Sequence, residues 1–299
     1  MTTRDAAGEQ RCVPTRLRDA PFESVRLPAG EVEYRRVGSG TPLLFVHGVF
    51  VNGELWRDVV DGLSADFECI VLEMPLGGHR KPMNPTADLT PTGLADLIGQ
   101  VIETLGLGPV RLVANDSGGA LSQIFASRRP DLVHSLVLTS CDTYEYFFPP
   151  LFRPLPLLAR SSAAMALMSR ALQWRWVRRT PLAFGWATKR PMAAEVEKGY
   201  VRPLLDRDIR RDVAKALRDV RPSYTLEAAE KLRGFHKPVL LLWGEYDRFF
   251  PVHTAHRLAR DLPDARLELL ADTGAFVPED AADRVVDAII DFYAAESQS

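Results

Sequence analysis

The stretch VANDSGGALSQ, residues 113–123, sets two potential nucleophiles side by side, Asp116 and Ser117. A carboxylate attacks saturated carbon and is left as an alkyl ester, whereas a hydroxyl attacks an acyl carbon with the help of an adjacent base. VRLVAN (110–115) reads as a short buried strand, and the residues after Ser117 as a helix, so the pair sits on a strand–turn–helix unit. A nucleophile on such a crowded elbow needs small residues two places before and two places after it. For Asp116 these are Ala114 and Gly118. For Ser117 they are Asn115 and Gly119, and asparagine fits poorly. The sterics favour Asp116. The plainer alternative is a helix N-cap, since Asp116 begins the helix.

The elements that must position this pair alternate between strand and helix. EVEYRRV (31–37), PLLFVHG (42–48), FECIVLEM (67–74) and HSLVLTS (134–140) are further strand candidates, and Thr90–Pro91 opens a helix with apolar residues at helical spacing. Over residues 142–231 the rhythm breaks into arginine-rich helical stretches. It resumes with KPVLLLWG (237–244), ARLELL (265–270) and an amphipathic helix over 279–295. Alternation of this kind implies an α/β fold with a mostly parallel sheet, and the helical block reads as an insertion. The expected organisation is a loose arm over 1–20, a core over 21–141 and 232–299, and a helical lid over 142–231.

The 299 residues suit one large domain with an insertion, and a net charge of −2 gives no reason to expect nucleic acid. The N-terminal residues lack the apolar region of a secretory signal, and no run of eighteen apolar residues could cross a membrane. Cys12, Cys69 and Cys141 are widely spaced, without a CxxC or a zinc-ligand pattern. A cytoplasmic protein with no cofactor, no metal and no membrane contact is therefore expected. The lid holds 17 Lys and Arg against 10 Asp and Glu, a net +7. This charge reads either as solvated helix faces or as a positive cover over an anionic small-molecule substrate.

Four motifs together resemble the α/β-hydrolase superfamily. ANDSGG is similar to the elbow of its aspartate-nucleophile branch, the haloalkane dehalogenases and epoxide hydrolases. FVHGVFVNGELW (45–56) resembles the His-Gly oxyanion loop with its downstream tryptophan. EMPLGGHRKP (73–82) resembles the glycine-rich loop, and LLLWGEYDRFFP (241–251) the acid-bearing segment. The resemblance implies an eight-stranded sheet with an inserted lid and assigns roles by position. Asp116 is the nucleophile, the amides of Val49 and Ser117 form the oxyanion hole, and Asp247 orients a histidine.

That histidine is missing. In the family the last strand leads to Gly-His-Phe before a Pro-Glu helix start; here the chain reads TGAFVPED, with Ala275 at the histidine position. None of the six histidines follows the final strand. Losing a positioned base costs about 10²–10⁴-fold, so an ester on Asp116 should accumulate. Two explanations stand, a replacement of histidine by alanine to trap an intermediate, or a natural departure toward non-hydrolytic chemistry.

Substrate choice is less legible. The halide-binding tryptophan that dehalogenases place after the nucleophile is replaced by Ser117, and Phe50 stands where epoxide hydrolases have proline. The lid tyrosines Tyr144, Tyr146, Tyr200 and Tyr224 are candidates to donate to an epoxide oxygen. His47, Phe50, Tyr146, Phe147, Phe148, Trp174, Trp176, Trp186 and Phe276 are the expected substrate-binding set. The expected activity is opening of a carbon–halogen or epoxide bond through an ester on Asp116, stalled for want of the histidine. A lyase or cyclase using Asp116 as acid and base, a ligand-binding pseudoenzyme and, more weakly, a serine esterase using Ser117 are the alternatives.

Overall fold

In a computed structural model that describes residues 15–296, eight strands form one sheet. They are β1 (Phe22–Leu27), β2 (Gly30–Val37), β3 (Thr41–Val46), β4 (Phe67–Leu72), β5 (Val110–Asp116), β6 (Val133–Cys141), β7 (Val239–Gly244) and β8 (Ala265–Leu270). Their order is β1-β2-β4-β3-β5-β6-β7-β8. β1 pairs with β2, and β2 with β4, antiparallel; every other pairing is parallel. β7 is buried throughout and β3 from Leu43 onward because helices cover both faces, which is why they read as apolar runs.

After β3 the chain moves to one side to make β4, then crosses to the other side to make β5. The carboxyl ends of β3 and β5 therefore open into the crevice where ligands bind in such sheets. His47–Gly48 follows β3 and Asp116 ends β5, so this crossover brings the two loops together.

Residues 15–20 depart from the expected loose arm. Thr15 caps a short helix, Arg16–Asp19, and Leu17 is fully buried against the core. The remainder of that expected arm, and Cys12, lie outside the described residues. Between β6 and the helix Pro222–Leu232, which packs on the helix Ser117–Arg128, the chain builds the helices expected of a lid. Ser161 and Asp206 cap two of them through their side chains. Asp212, from the helix Arg207–Arg218, accepts the Met83 amide at 2.7 Å and so ties that helix to the glycine-rich segment.

Two adjacent acids fasten the inserted helices to the loop after β8. Glu279 is buried and receives both terminal nitrogens of Arg57, at 2.7 and 2.6 Å, and the Tyr200 hydroxyl at 2.6 Å. Asp280 accepts the amides of Lys189 and Gly274 at 2.7 and 2.9 Å. Core, lid and terminal loop thus share one polar joint. Arg57→Met should remove both charge-assisted bonds to a buried carboxylate and lower unfolding free energy by about 3–5 kcal/mol in denaturant titrations. A loss below about 1 kcal/mol would show that the joint does not hold the lid.

Candidate active site

Asp116 has φ 54° and ψ −134°, outside the regions open to ordinary residues. Such strain persists only where neighbours enforce it. A Cβ on Gly48 would lie 2.2 Å from Asp116 Oδ2, and one on Gly118 would lie 2.5 Å from the His47 carbonyl oxygen. One on Gly119 would meet the Cys141 Cβ at 2.3 Å. Gly48 and Gly118 are thus explained by the close approach of the two loops, and Gly119 by the packing of the elbow on the end of β6. Asn115 is turned away from the cavity side. Its Nδ2 donates to the carbonyls of Thr139, Ser140 and Ala275 at 3.0–3.1 Å, joining β5, β6 and the terminal loop.

Beside the elbow lies a cavity of about 120 Å³. Among the described residues Asp116 is the one ionisable side chain lining it; Val49, Phe50, Ser117, Phe148 and Phe276 of the expected set also line it. The rest of the wall is apolar, with Phe249 and Phe250 from the loop after β7 and Leu155, Met168, Leu172 and Leu182 from the lid.

Other expected residues stand elsewhere. His47 is fully buried and spent on backbone, its Nδ1–H donating to the Gly48 carbonyl and its Nε2 accepting the Met74 amide, at 2.8 and 2.9 Å. Burial pushes its pKa down to about 4, so it is a neutral structural residue rather than a substrate ligand. Phe147 faces a separate small void. Tyr146 packs edge-on against His253. Trp174 and Trp176 stack on each other at the outer surface, and Trp186 is exposed beneath Arg248. Sequence spacing could not tell the inner from the outer side of these short lid helices. The hydroxyls of Tyr144, Tyr200 and Tyr224 are each bound to a carboxylate, of Asp261, Glu279 and Asp219 respectively.

The electrostatics turn on three carboxylates. Asp247 holds the amides of Phe249 and Phe250 through Oδ1 at 2.8 and 2.9 Å, while its buried Oδ2 has no hydrogen-bond partner. Burial raises its pKa to about 7. Asp116 is also raised to about 7, chiefly by burial and further by the Asp247 charge, with the Ser117 amide and hydroxyl pulling the other way. Asp142, at the end of β6, is completely buried, and neither carboxylate oxygen has a hydrogen-bond partner. Burial and the neighbouring Asp116 charge drive its pKa well above the ordinary range. Its amide reaches the Asp116 carbonyl at 3.4 Å across a bulge between β5 and β6. Ala275 is buried where a histidine was expected, and no base stands in its place along the cavity wall. Among the described residues no group of three His, Cys, Asp or Glu side chains converges to hold a metal ion.

The sequence profile of the alpha/beta hydrolase fold family matches residues 41–282. The chain belongs to this family. It is 29% identical over 283 residues to haloalkane dehalogenase 2 of Mycobacterium bovis, covering 91% of this chain and 95% of that protein. It is 26% identical over 269 residues to a cis-3-alkyl-4-alkyloxetan-2-one decarboxylase of Shewanella oneidensis, covering 86% and 83%. An alpha/beta hydrolase fold protein of Burkholderia ambifaria superposes with a TM-score of 0.77 at 22% identity, over 90% of this chain and 97% of that one. No helix among the described residues of this α/β-hydrolase is long and apolar enough to cross a membrane.

Residue order does not single out Asp142, because it falls at the first residue of the expected lid. Its signal was available, an acid directly after a buried strand that pairs with β5. A carboxylate whose folded pKa lies above its unfolded one contributes stability that is complete below the unfolded pKa and is lost as pH rises through the folded pKa. For Asp116 and Asp247 that window runs from 3.8 to about 7. Thermal melts should therefore fall from pH 5 to pH 8, and Asp116→Asn or Asp142→Asn should flatten the fall. For Asp116 the ceiling is ~4 kcal/mol. Parallel pH profiles for parent and variants would contradict the assignment of these groups.

Proposed function

We propose that this α/β-hydrolase acts through Asp116 as a nucleophile. The carboxylate attacks an sp³ carbon of a small, neutral, apolar substrate, displacing halide or opening a strained ring, and is left as an alkyl ester. The observation that carries this reading is the placement of Asp116, a strained elbow residue and the one ionisable group on an otherwise apolar cavity wall. Water is scarce there, so an ionised carboxylate is poorly solvated and correspondingly reactive. The same wall argues against an anionic substrate, whose charge would meet Asp116 with no cation lining the cavity. Relatives named haloalkane dehalogenase support the reaction class.

The amides of Val49 and Ser117 are the proposed donors to the oxyanion of the ester's later tetrahedral intermediate, and both residues line the cavity. Asp247 is the proposed acid of the absent histidine, and its unpartnered Oδ2 supports that role. Without the base, the alkyl ester forms and is not hydrolysed at a useful rate. The proposed lid, between β6 and the helix Pro222–Leu232, closes the cavity with Leu155, Met168, Leu172 and Leu182.

A second reading is favoured by Asp142. Asp142 and Asp116 are buried carboxylates within reach of each other's charge; such pairs tend to share one proton and can move protons without hydrolysis. The relative named as an oxetanone decarboxylase supports ring-opening chemistry of this non-hydrolytic kind. Ser117 supports an esterase less well. Its Oγ approaches Asp116 Oδ1 at 3.4 Å and no imidazole stands beside it.

The discriminating experiment is a burst assay with an alkyl bromide or a terminal epoxide. About one equivalent of bromide per protein should be released, at a rate that rises with pH through about 7 as Asp116 ionises. Asp116→Asn should abolish the burst and Ser117→Ala should retain most of it. Ala275→His should convert the burst into turnover, a gain on the order of 10²–10⁴-fold in ester hydrolysis. Sustained turnover by the parent chain, or a burst that follows Ser117, would reject the reading.

A further inference from the structure

The lid carries a surface that the cavity chemistry does not use. Leu157, Leu167, Trp176 and Leu182 are 69–70% exposed and Trp174 is 61% exposed, all within one segment of the chain. The two tryptophan rings stack 6.1 Å apart and, with Arg175 and Arg179, line a shallow depression on the outside of the molecule. Large apolar side chains clustered in this way mark interaction surfaces rather than ordinary exposure.

Charge on this segment has a single sign. Residues 146–194 contain eight Lys and Arg and no Asp or Glu. Arg153, Arg160, Arg170, Arg175 and Arg179 are exposed among the apolar side chains. On the next helix, Ala194–Val201, Glu197 is buried against Arg178 at 3.2 Å and meets Arg179 at 3.7 Å, which leaves Glu195 as the exposed acid of that helix against five exposed arginines. Exposed tryptophan and leucine interspersed with arginine suit the boundary between headgroups and acyl chains. A second copy of the chain fits worse, because an isologous contact would press two sets of five exposed arginines together with few acids to offset them.

The surface is also continuous with the cavity. Leu182 is both exposed and part of the cavity wall. Met168 lines the cavity from the helix Ser162–Ala171, whose outer side carries Leu167. Leu155 does so from the helix Leu155–Leu158, which carries Leu157 outside.

We propose that the outer face of the lid, built on Leu167, Trp174, Trp176 and Leu182 with the arginines between them, docks on an anionic lipid bilayer and admits small lipophilic substrates from it to the cavity. The chain has no candidate spanning helix among its described residues, so the contact is peripheral. Docking stands independently of the aspartate chemistry; only the nature of what is admitted rests on that reading.

Co-sedimentation of the full chain with extruded vesicles tests the docking. Binding is expected to vesicles of phosphatidylcholine with about one-third phosphatidylglycerol at low salt, with a blue shift of tryptophan emission, and little to phosphatidylcholine alone. Trp174→Ser with Trp176→Ser should weaken the partition constant at least about tenfold, and Arg170→Gln and Arg175→Gln by about fivefold each. Asp116→Asn should bind as the parent does, so that failure of docking and failure of the nucleophile are read separately. No binding to the anionic vesicles, or binding indifferent to both sets of substitutions, overturns the proposal. So does a dimer by light scattering that the tryptophan substitutions convert to monomer, because a second copy would then occupy the face.

Discussion

The backbone at Asp116 is held at a positive φ by steric contact between two loops, and the rest of the site depends on that contact. The Gly48 Cα lies so close to the Asp116 carboxylate that any side chain there would overlap it, and Gly118 is pressed as closely against the carbonyls of β3 and its loop. Strain of this kind costs about 1–3 kcal/mol and is sustained by the surrounding sheet. The crossover from β4 over β3 to β5 makes the contact possible, because it leaves the ends of β3 and β5 as neighbours. Aiming one carboxylate into an apolar cavity is therefore a property of the whole sheet.

That aim has an electrostatic consequence. Asp116, Asp142 and Asp247 lie within reach of one another's charge, with no arginine, lysine or protonated histidine among the causes acting on any of them. Burial disfavours each charge, and neighbouring carboxylates add to this at Asp116 and Asp142, so the site holds protons at neutral pH that isolated aspartates would have lost. In a site with an imidazole, an imidazolium could have relieved part of this repulsion. Ala275 brings no such charge to the site. The loop nevertheless keeps its place, fixed by the Asn115 side chain on the Ala275 carbonyl, by the Phe276 amide on Ala187 and by Asp280 on Gly274.

Much of this was legible in residue order. Apolar runs ending in glycine or an acid mark the strands, while the preference for Asp116 over Ser117 rests on small residues around the elbow and belongs to the proposed function. Asn115, which counted against the serine, is held by three carbonyls and so serves the fold. The lid was harder to read. Trp174, Trp176 and Trp186 face outward while Phe249 and Phe250, in a loop noticed only for Asp247, line the cavity. Short helices joined by proline-rich turns give too few periods for spacing to show which side faces in. Asp142 escaped because its significance lies in the pairing of β6 with β5, a tertiary relation. His47 looked like a ligand by type and is an internal strut by contact.

The central claim is that Asp116 itself becomes bonded to substrate carbon. Tandem mass spectrometry of the protein after incubation with a small alkyl bromide tests it directly by assigning the added alkyl group to a residue. The account predicts a single adduct on Asp116, cleaved by hydroxylamine as an ester should be. An adduct on Ser117, Asp142 or Asp247, or consumption of substrate with no adduct at all, would contradict it.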